Sequence, residues 1–190
     1  MKLNKLIAIA TISLLSGGIS MAQKALNLED IVAGNVIQTK GIGSMTWLKD
    51  GERYSCLENN KQTGGMDIVA YRAKDNSREV IIPSSLLRDK STGKPIPVRS
   101  ISWSADNEKV LIYNNTQRVW RYDTRGDYWV LNLKDGALRQ LGKGMPESSM
   151  MFAKFSPDGT RVAYVSNNNI YVEDIDSGKI TQLTKDGSDT

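Results

Sequence analysis

This 190-residue sequence predicts an all-β chain: a partial β-propeller of about three four-stranded antiparallel blades, preceded by a signal peptide and a short helical segment. One observation is a repeated turn. Trp47-Leu48-Lys49-Asp50-Gly51, Trp103-Ser104-Ala105-Asp106-Asn107 and Phe155-Ser156-Pro157-Asp158-Gly159 each set an aromatic residue just before a tight reversal, the aromatics standing 56 and 52 residues apart. The other is the succession after each turn: three further short apolar runs separated by polar turns, the pattern of a four-stranded meander. A sandwich with similar turns is the alternative, but the same aromatic, turn and edge strand recurring in one order three times favours blades.

Residues 1–22 read as a secretory signal. Lys2 and Lys5 supply the positive start, Leu6 to Leu15 the apolar stretch, and Ser20-Met21-Ala22 a small-x-small cleavage site. Thr11, Ser13 and Ser16-Gly17-Gly18 break the apolar run well short of the ~20 residues a membrane span needs. Export, to the periplasm, is the expectation. Residues 23–44 form a lead-in, with an amphipathic stretch from Leu26 to Val32 that Asn27 could cap as a helical turn or two.

The blades are expected over 45–82, 101–141 and 153–184. Each aromatic ends a first strand, and Asp-Gly, Asp-Asn or Pro-Asp-Gly reverses the chain because Gly and Asn accept positive φ. The returning strands are Tyr54 to Leu57, Val110 to Tyr113 and Val162 to Val165; third strands are Ile68 to Tyr71, Tyr128 to Leu133 and Ile170 to Ile175. Val80-Ile81, Leu138 to Leu141 and Ile180 to Leu183 close the units. Trp47, Trp103 and Phe155, recurring at blade spacing, are expected in the core. Three blades do not close a ring, since propellers need four to eight, so the chain is expected to be the amino-terminal part of a longer protein.

Composition removes several kinds of chemistry. With no histidine the chain supplies no imidazole to a Ser-His-Asp unit or a metal, and the single Cys56 makes no internal disulfide or thiolate cage. No catalytic residue, metal or cofactor is expected within these residues. No Gly-x-Ser-x-Gly elbow occurs, Gly41-Ile42-Gly43-Ser44 lacks the phosphate-loop lysine, and Asp50-Gly51 and Asp158-Gly159 lack the ligand alternation of a calcium loop. The net charge of +4 falls by two with Lys2 and Lys5, and the rest carries no basic stripe, so nucleic acid is not an expected partner.

One irregularity stands out. The link between second and third strands is longest in the second unit, which carries about ten extra residues in 114–127. Insertions in repeats map to loops, often on the binding face, and this one opens opposite the Ser-Pro-Asp-Gly turn. It holds Arg118, Arg121 and Arg125 beside Trp120 and Tyr122. Arginine's planar fork suits a carbonyl or carboxylate. The alternative is a solvated loop in which these arginines pair with Asp123 and Asp127.

The run from Val119 to Leu133, with Trp120-Arg121 ahead of the aromatic-rich strand Tyr128-Trp129-Val130-Leu131-Asn132-Leu133, resembles the dipeptidyl peptidase IV family of the prolyl oligopeptidase clan. The Ser156-Pro157-Asp158-Gly159 turn, with Arg161 to Val165 and Asn168 to Val172 after it, is similar to that family's next blade, though the turn alone also occurs in other propellers. The resemblance implies a serine-type peptidase that removes X-Pro or X-Ala dipeptides from peptide amino termini. It implies a carboxy-terminal α/β-hydrolase domain beyond Thr190 as partner, and a homodimer at full length. By motif it gives Arg121 the role of binding a substrate carbonyl oxygen. Tyr122 and Asp123 depart from the family, which carries a basic and a hydroxyl residue there, and the family's paired glutamates fall after the last blade read here. A periplasmic propeller that only binds a protein partner is the alternative, and the Arg121 insertion is what distinguishes the two.

Overall fold

The structure, a computed structural model, describes residues 43–188 together with Asn27, Leu28 and Val32. The predicted signal peptide and most of the lead-in lie outside the described residues; within the lead-in, Leu28 and Val32 are helical and exposed. The chain divides into two units at residues 41 and 42, and the second holds all the strands found among the described residues.

This second unit is built of twelve strands in three antiparallel meanders. The first sheet holds β1 (Met45–Trp47), β2 (Arg53–Asn60), β3 (Gly65–Arg72) and β4 (Arg78–Ile82). The second holds β5 (Ser100–Trp103), β6 (Lys109–Val119), β7 (Tyr122–Asn132) and β8 (Leu138–Gln140). The third holds β9 (Met151–Phe155), β10 (Arg161–Ser166), β11 (Asn169–Asp174) and β12 (Ile180–Gln182). In every sheet the strands lie side by side in chain order, as blades of a propeller do.

The repeated reversal is the same device in the second and third blades. The Ser104 hydroxyl donates to Asp106 (2.6 Å) and accepts from the Lys109 amide (2.9 Å); the Ser156 hydroxyl donates to Asp158 (2.5 Å) and accepts from the Arg161 amide (3.0 Å). Backbone amides of Glu108 and Thr160 close onto the same carboxylates. The hydroxyls and these amides hold both carboxyls well down, at about 2, below the ordinary aspartate value of 3.8. In the first blade Asp50 reaches about 2 by another route, chiefly its bond to the Arg53 guanidinium at 2.7 Å.

The second blade is apolar on both faces because it has a neighbour on each. Strand alternation sends Val110, Ile112 and Leu131 toward Ile68 and Ile82 of the first blade. It sends Leu111, Tyr128 and Val130 toward Val162 and Tyr164 of the third. Leu87 and Ile96, from the segment that joins the first two blades, seal the first of these layers. Of the three repeated aromatics, Trp103 and Phe155 pack against these layers, and the Trp103 indole donates to the Ser55 hydroxyl across the blade boundary (2.8 Å). Trp47 departs from the expectation of a core residue, being 56% exposed. It lies edge-on to Tyr54, opposite to it in the ladder, on the face of the first blade that does not meet the second.

Candidate functional site

The insertion in the second blade is an arm of two paired strands rather than the loop the sequence suggests. β5 reaches β6 only as far as Tyr113, and β8 reaches β7 only from Trp129 onward. Beyond those points β6 and β7 run on as a two-stranded ladder, ending at the facing residues Val119 and Tyr122. The ladder slips twice, with one extra residue on β6 between Asn114 and Gln117 and one on β7 between Arg125 and Asp123. Asn115 absorbs the first slip at φ +43. Val119, Tyr122 and Thr124 favour extended backbone, and only Trp120 and Arg121 remain for the turn. Trp120 takes φ +61 there, in the first central position of a two-residue hairpin turn, where glycine is the usual occupant. The absence of that glycine is what hides the hairpin in the sequence.

The base of the arm is held from three sides. Gly126 and Met150 exchange backbone hydrogen bonds at 3.0 and 3.1 Å, tying the arm to the segment that leads into the third blade. Asp127, buried, accepts from the Ser148 amide (2.8 Å) and from the Asn115 side chain (2.7 Å), while the Ser148 hydroxyl donates to the Asn115 carbonyl (2.6 Å). Tyr113 stacks on Tyr128 and shares its hydroxyl proton between the carbonyls of Asp123 (3.0 Å) and Arg125 (2.9 Å). Burial, followed by the neighbouring Tyr128, pushes the Tyr113 phenol up to about 12, so it stays a donor throughout the neutral range. The Tyr113 ring passes directly over Gly126, where an added Cβ would lie 2.3 Å from the ring and 2.7 Å from the Asn114 carbonyl oxygen. Gly126 is needed for this close approach, not for an unusual φ.

Trp120, Arg121 and Tyr122 form the tip, Trp120 being 94% exposed. The pairing of these arginines with Asp123 and Asp127 does not occur. Asp123 bonds instead to Arg99, 24 residues earlier in the chain, at 3.0 Å, and Asp127 is taken up by Asn115 and Ser148. Arg118, Arg121 and Arg125 are exposed and make no ion pair among the described residues. The arm therefore presents uncompensated guanidinium groups beside two large aromatic surfaces, a combination able to bind a carbonyl oxygen or carboxylate while an aromatic face covers an apolar group. Arg99, Tyr113 and Ser148, which orient the arm, carry no motif, and their contacts arise only through the fold. Among the described residues no His, Cys, Asp and Glu cluster has the makings of a metal site, and no helix is long and apolar enough to cross a membrane.

Residues 104–190, which take in the arm and the third blade, match the family described as the dipeptidyl peptidase IV (DPP IV) N-terminal region. A probable dipeptidyl-aminopeptidase B of Aspergillus terreus is 26% identical over 181 residues, covering 90% of this chain and 20% of its own length. Its counterpart from Neosartorya fischeri is 32% identical over 127 residues, covering 65% of this chain and 13% of its own. Among solved structures, dipeptidyl peptidase 4 of Porphyromonas gingivalis has a similar fold, with a TM-score of 0.69 at 23% identity, over 87% of this chain and 22% of that one. The chain spans between 13% and 22% of the length of these proteins.

Proposed function

We propose that this chain, which matches the dipeptidyl peptidase IV N-terminal region over residues 104–190, is the propeller part of an exported dipeptidyl aminopeptidase whose arm delivers Arg121 to the substrate. The substrate class is a peptide with proline or alanine second from its amino terminus. The chemistry is that of an α/β-hydrolase domain carried by the same longer polypeptide, which pairs as a homodimer. Residues 1–22 direct export to the periplasm.

The observation that carries this reading is Arg121, without an ion-pair partner among the described residues, at the tip of a braced arm. A guanidinium already bound to a neighbouring carboxylate would have to give up that partner on binding substrate. Arg121 has no such partner among the described residues, so a charge-assisted hydrogen bond to a peptide carbonyl displaces only water.

The test is steady-state hydrolysis of a Gly-Pro chromogenic substrate by the full-length polypeptide. Arg121→Ala removes a bond worth about 1.5–3 kcal/mol, roughly a ten- to hundredfold loss in kcat/KM. Arg121→Lys falls between alanine and wild type, because a point charge on a flexible stem lacks the planar fork. Arg118→Ala and Arg125→Ala change little. Equal efficiencies for all of these variants would reduce the arm to a charged surface feature and favour a propeller that binds a protein partner.

A further inference from the structure

At the root of the arm, on the side facing the segment that enters the second blade, lies a cleft of about 590 Å³. Asn114 and Asp127 line it, opposite one another in the β6–β7 ladder and so on one face of the arm. Both are buried, at 8% and 5% exposure. The Asn114 Oδ1 is fully enclosed and accepts no hydrogen bond. Asp127 accepts one bond on each carboxylate oxygen, which leaves each a free lone pair. Trp129, two residues along β7 from Asp127 and hence on the same face, adds an aromatic wall, and Val98 an apolar one. Arg99 also borders the cleft, but its charge is met by Asp123 at 3.0 Å. The unbalanced charge in the cleft is that of Asp127.

An enclosed acceptor without a donor costs stability until something fills it. A single water occupies about 30 Å³, a small part of this space, and cannot cover the Trp129 and Val98 walls. The chemistry that satisfies the whole cleft has several N–H donors, a positive charge and a short apolar stem. We propose that the cleft binds a primary ammonium group on an aliphatic chain, as a lysine side chain or a small alkylamine presents it, with Asp127 accepting its protons, the Asn114 side chain turning its enclosed oxygen out to accept another, and Trp129 flanking the cation. Along the arm the site stands six to seven residues from Arg121, about 20 Å, so it does not depend on the function proposed for the tip.

The test titrates n-pentylammonium and, separately, 1-pentanol into the protein, following the Trp129 indole N–H and the Asn114 side-chain amide by NMR. The expected result is saturable binding of the amine, at least tenfold tighter than the alcohol, weakened by added salt. Asn114→Ala lowers amine affinity about tenfold, the usual effect of removing one bond to a charged group. Asn114→Asp raises it, which separates a lost contact from a loosened arm. Equal binding of amine and alcohol, no response at the Trp129 indole, or Asn114 variants indistinguishable from wild type would overturn the proposal.

Discussion

Gly126→Ala probes the arm's construction with a single methyl group. The added Cβ meets the Tyr113 ring at 2.3 and 3.0 Å and the Asn114 carbonyl oxygen at 2.7 Å. Ordinary contacts between carbon atoms fall near ~3.5–4.0 Å, so one of these groups has to move by about an ångström. Neither moves easily. The Tyr113 ring is stacked on Tyr128, 4.8 Å between centroids, with its hydroxyl bound to two carbonyls, and the Asn114 carbonyl belongs to the ladder. The strain of forcing a methyl into a packed site is about 2–3 kcal/mol, which for a chain of this length lowers Tm by roughly 4–12 °C. Thermal unfolding followed by circular dichroism measures the loss, and limited proteolysis within 114–127 locates it. Tyr113→Ala in the same chain removes the ring, so the double variant recovers part of the cost of Gly126→Ala and the two effects are not additive. A Gly126→Ala protein as stable as wild type, with an equally protected arm, would refute the packing argument.

Acid should weaken the blades through their turns: Asp50, Asp106 and Asp158 have folded values near 2 against 3.8 unfolded, so their contribution is complete above about pH 4 and is lost as pH falls through 2. Melting temperatures between pH 5 and 2 should fall accordingly, less steeply in Ser104→Ala/Ser156→Ala, and an identical slope in that variant would remove the turns as the cause. The purified 190-residue chain should not turn over a Gly-Pro chromogenic substrate, since it has no histidine and no nucleophile elbow; measurable hydrolysis proportional to chain concentration would contradict this. The same chain should self-associate, because Met45, Trp47 and Val80 stand exposed on the first blade and Ile170 and Leu183 on the third. Light scattering that reports a monomer at every concentration would count against it.

What could be read from the sequence depends on how local the cause is. The reversals at Asp50, Asp106 and Asp158 are made by residues within five positions of one another, so residue type and spacing suffice to place them. The two-sided apolar pattern of β6 and β7 is equally visible, because alternate residues answer to different neighbours. The arm was half legible. Its position and its arginines follow from the length of the insertion, but its paired character does not, since two bulges interrupt the alternation and Trp120 stands where a hairpin turn normally carries glycine. The partners of Asp123 and Asp127 were illegible. Arg99 and Ser148 sit 24 and 21 residues away, brought near by the entry into the second blade and the exit toward the third. Trp47 shows the same limit: its spacing is that of Trp103, yet spacing does not say whether a neighbouring face is there to cover it.

The way the arm is mounted explains how an exposed tip can hold a defined position. A two-stranded ribbon alone in water is marginally stable at best, and a tryptophan at positive φ adds strain at the end of it. Both costs have to be met at the base. The second blade, from which the ribbon grows, is packed on two faces, so β6 and β7 enter the arm from the most constrained sheet of the three. The Gly126–Met150 bonds, the Asp127–Ser148 bond and the Tyr113 hydroxyl then carry that constraint past the last residue of the four-stranded part. The third blade takes part, since Met150 is buried in the layer it shares with the second. A change in packing between these two blades therefore reaches Arg121 through the base of the arm without touching the tip, and variants at Met150 or Ser148 belong with those at Trp120 among the residues that set where the guanidinium points.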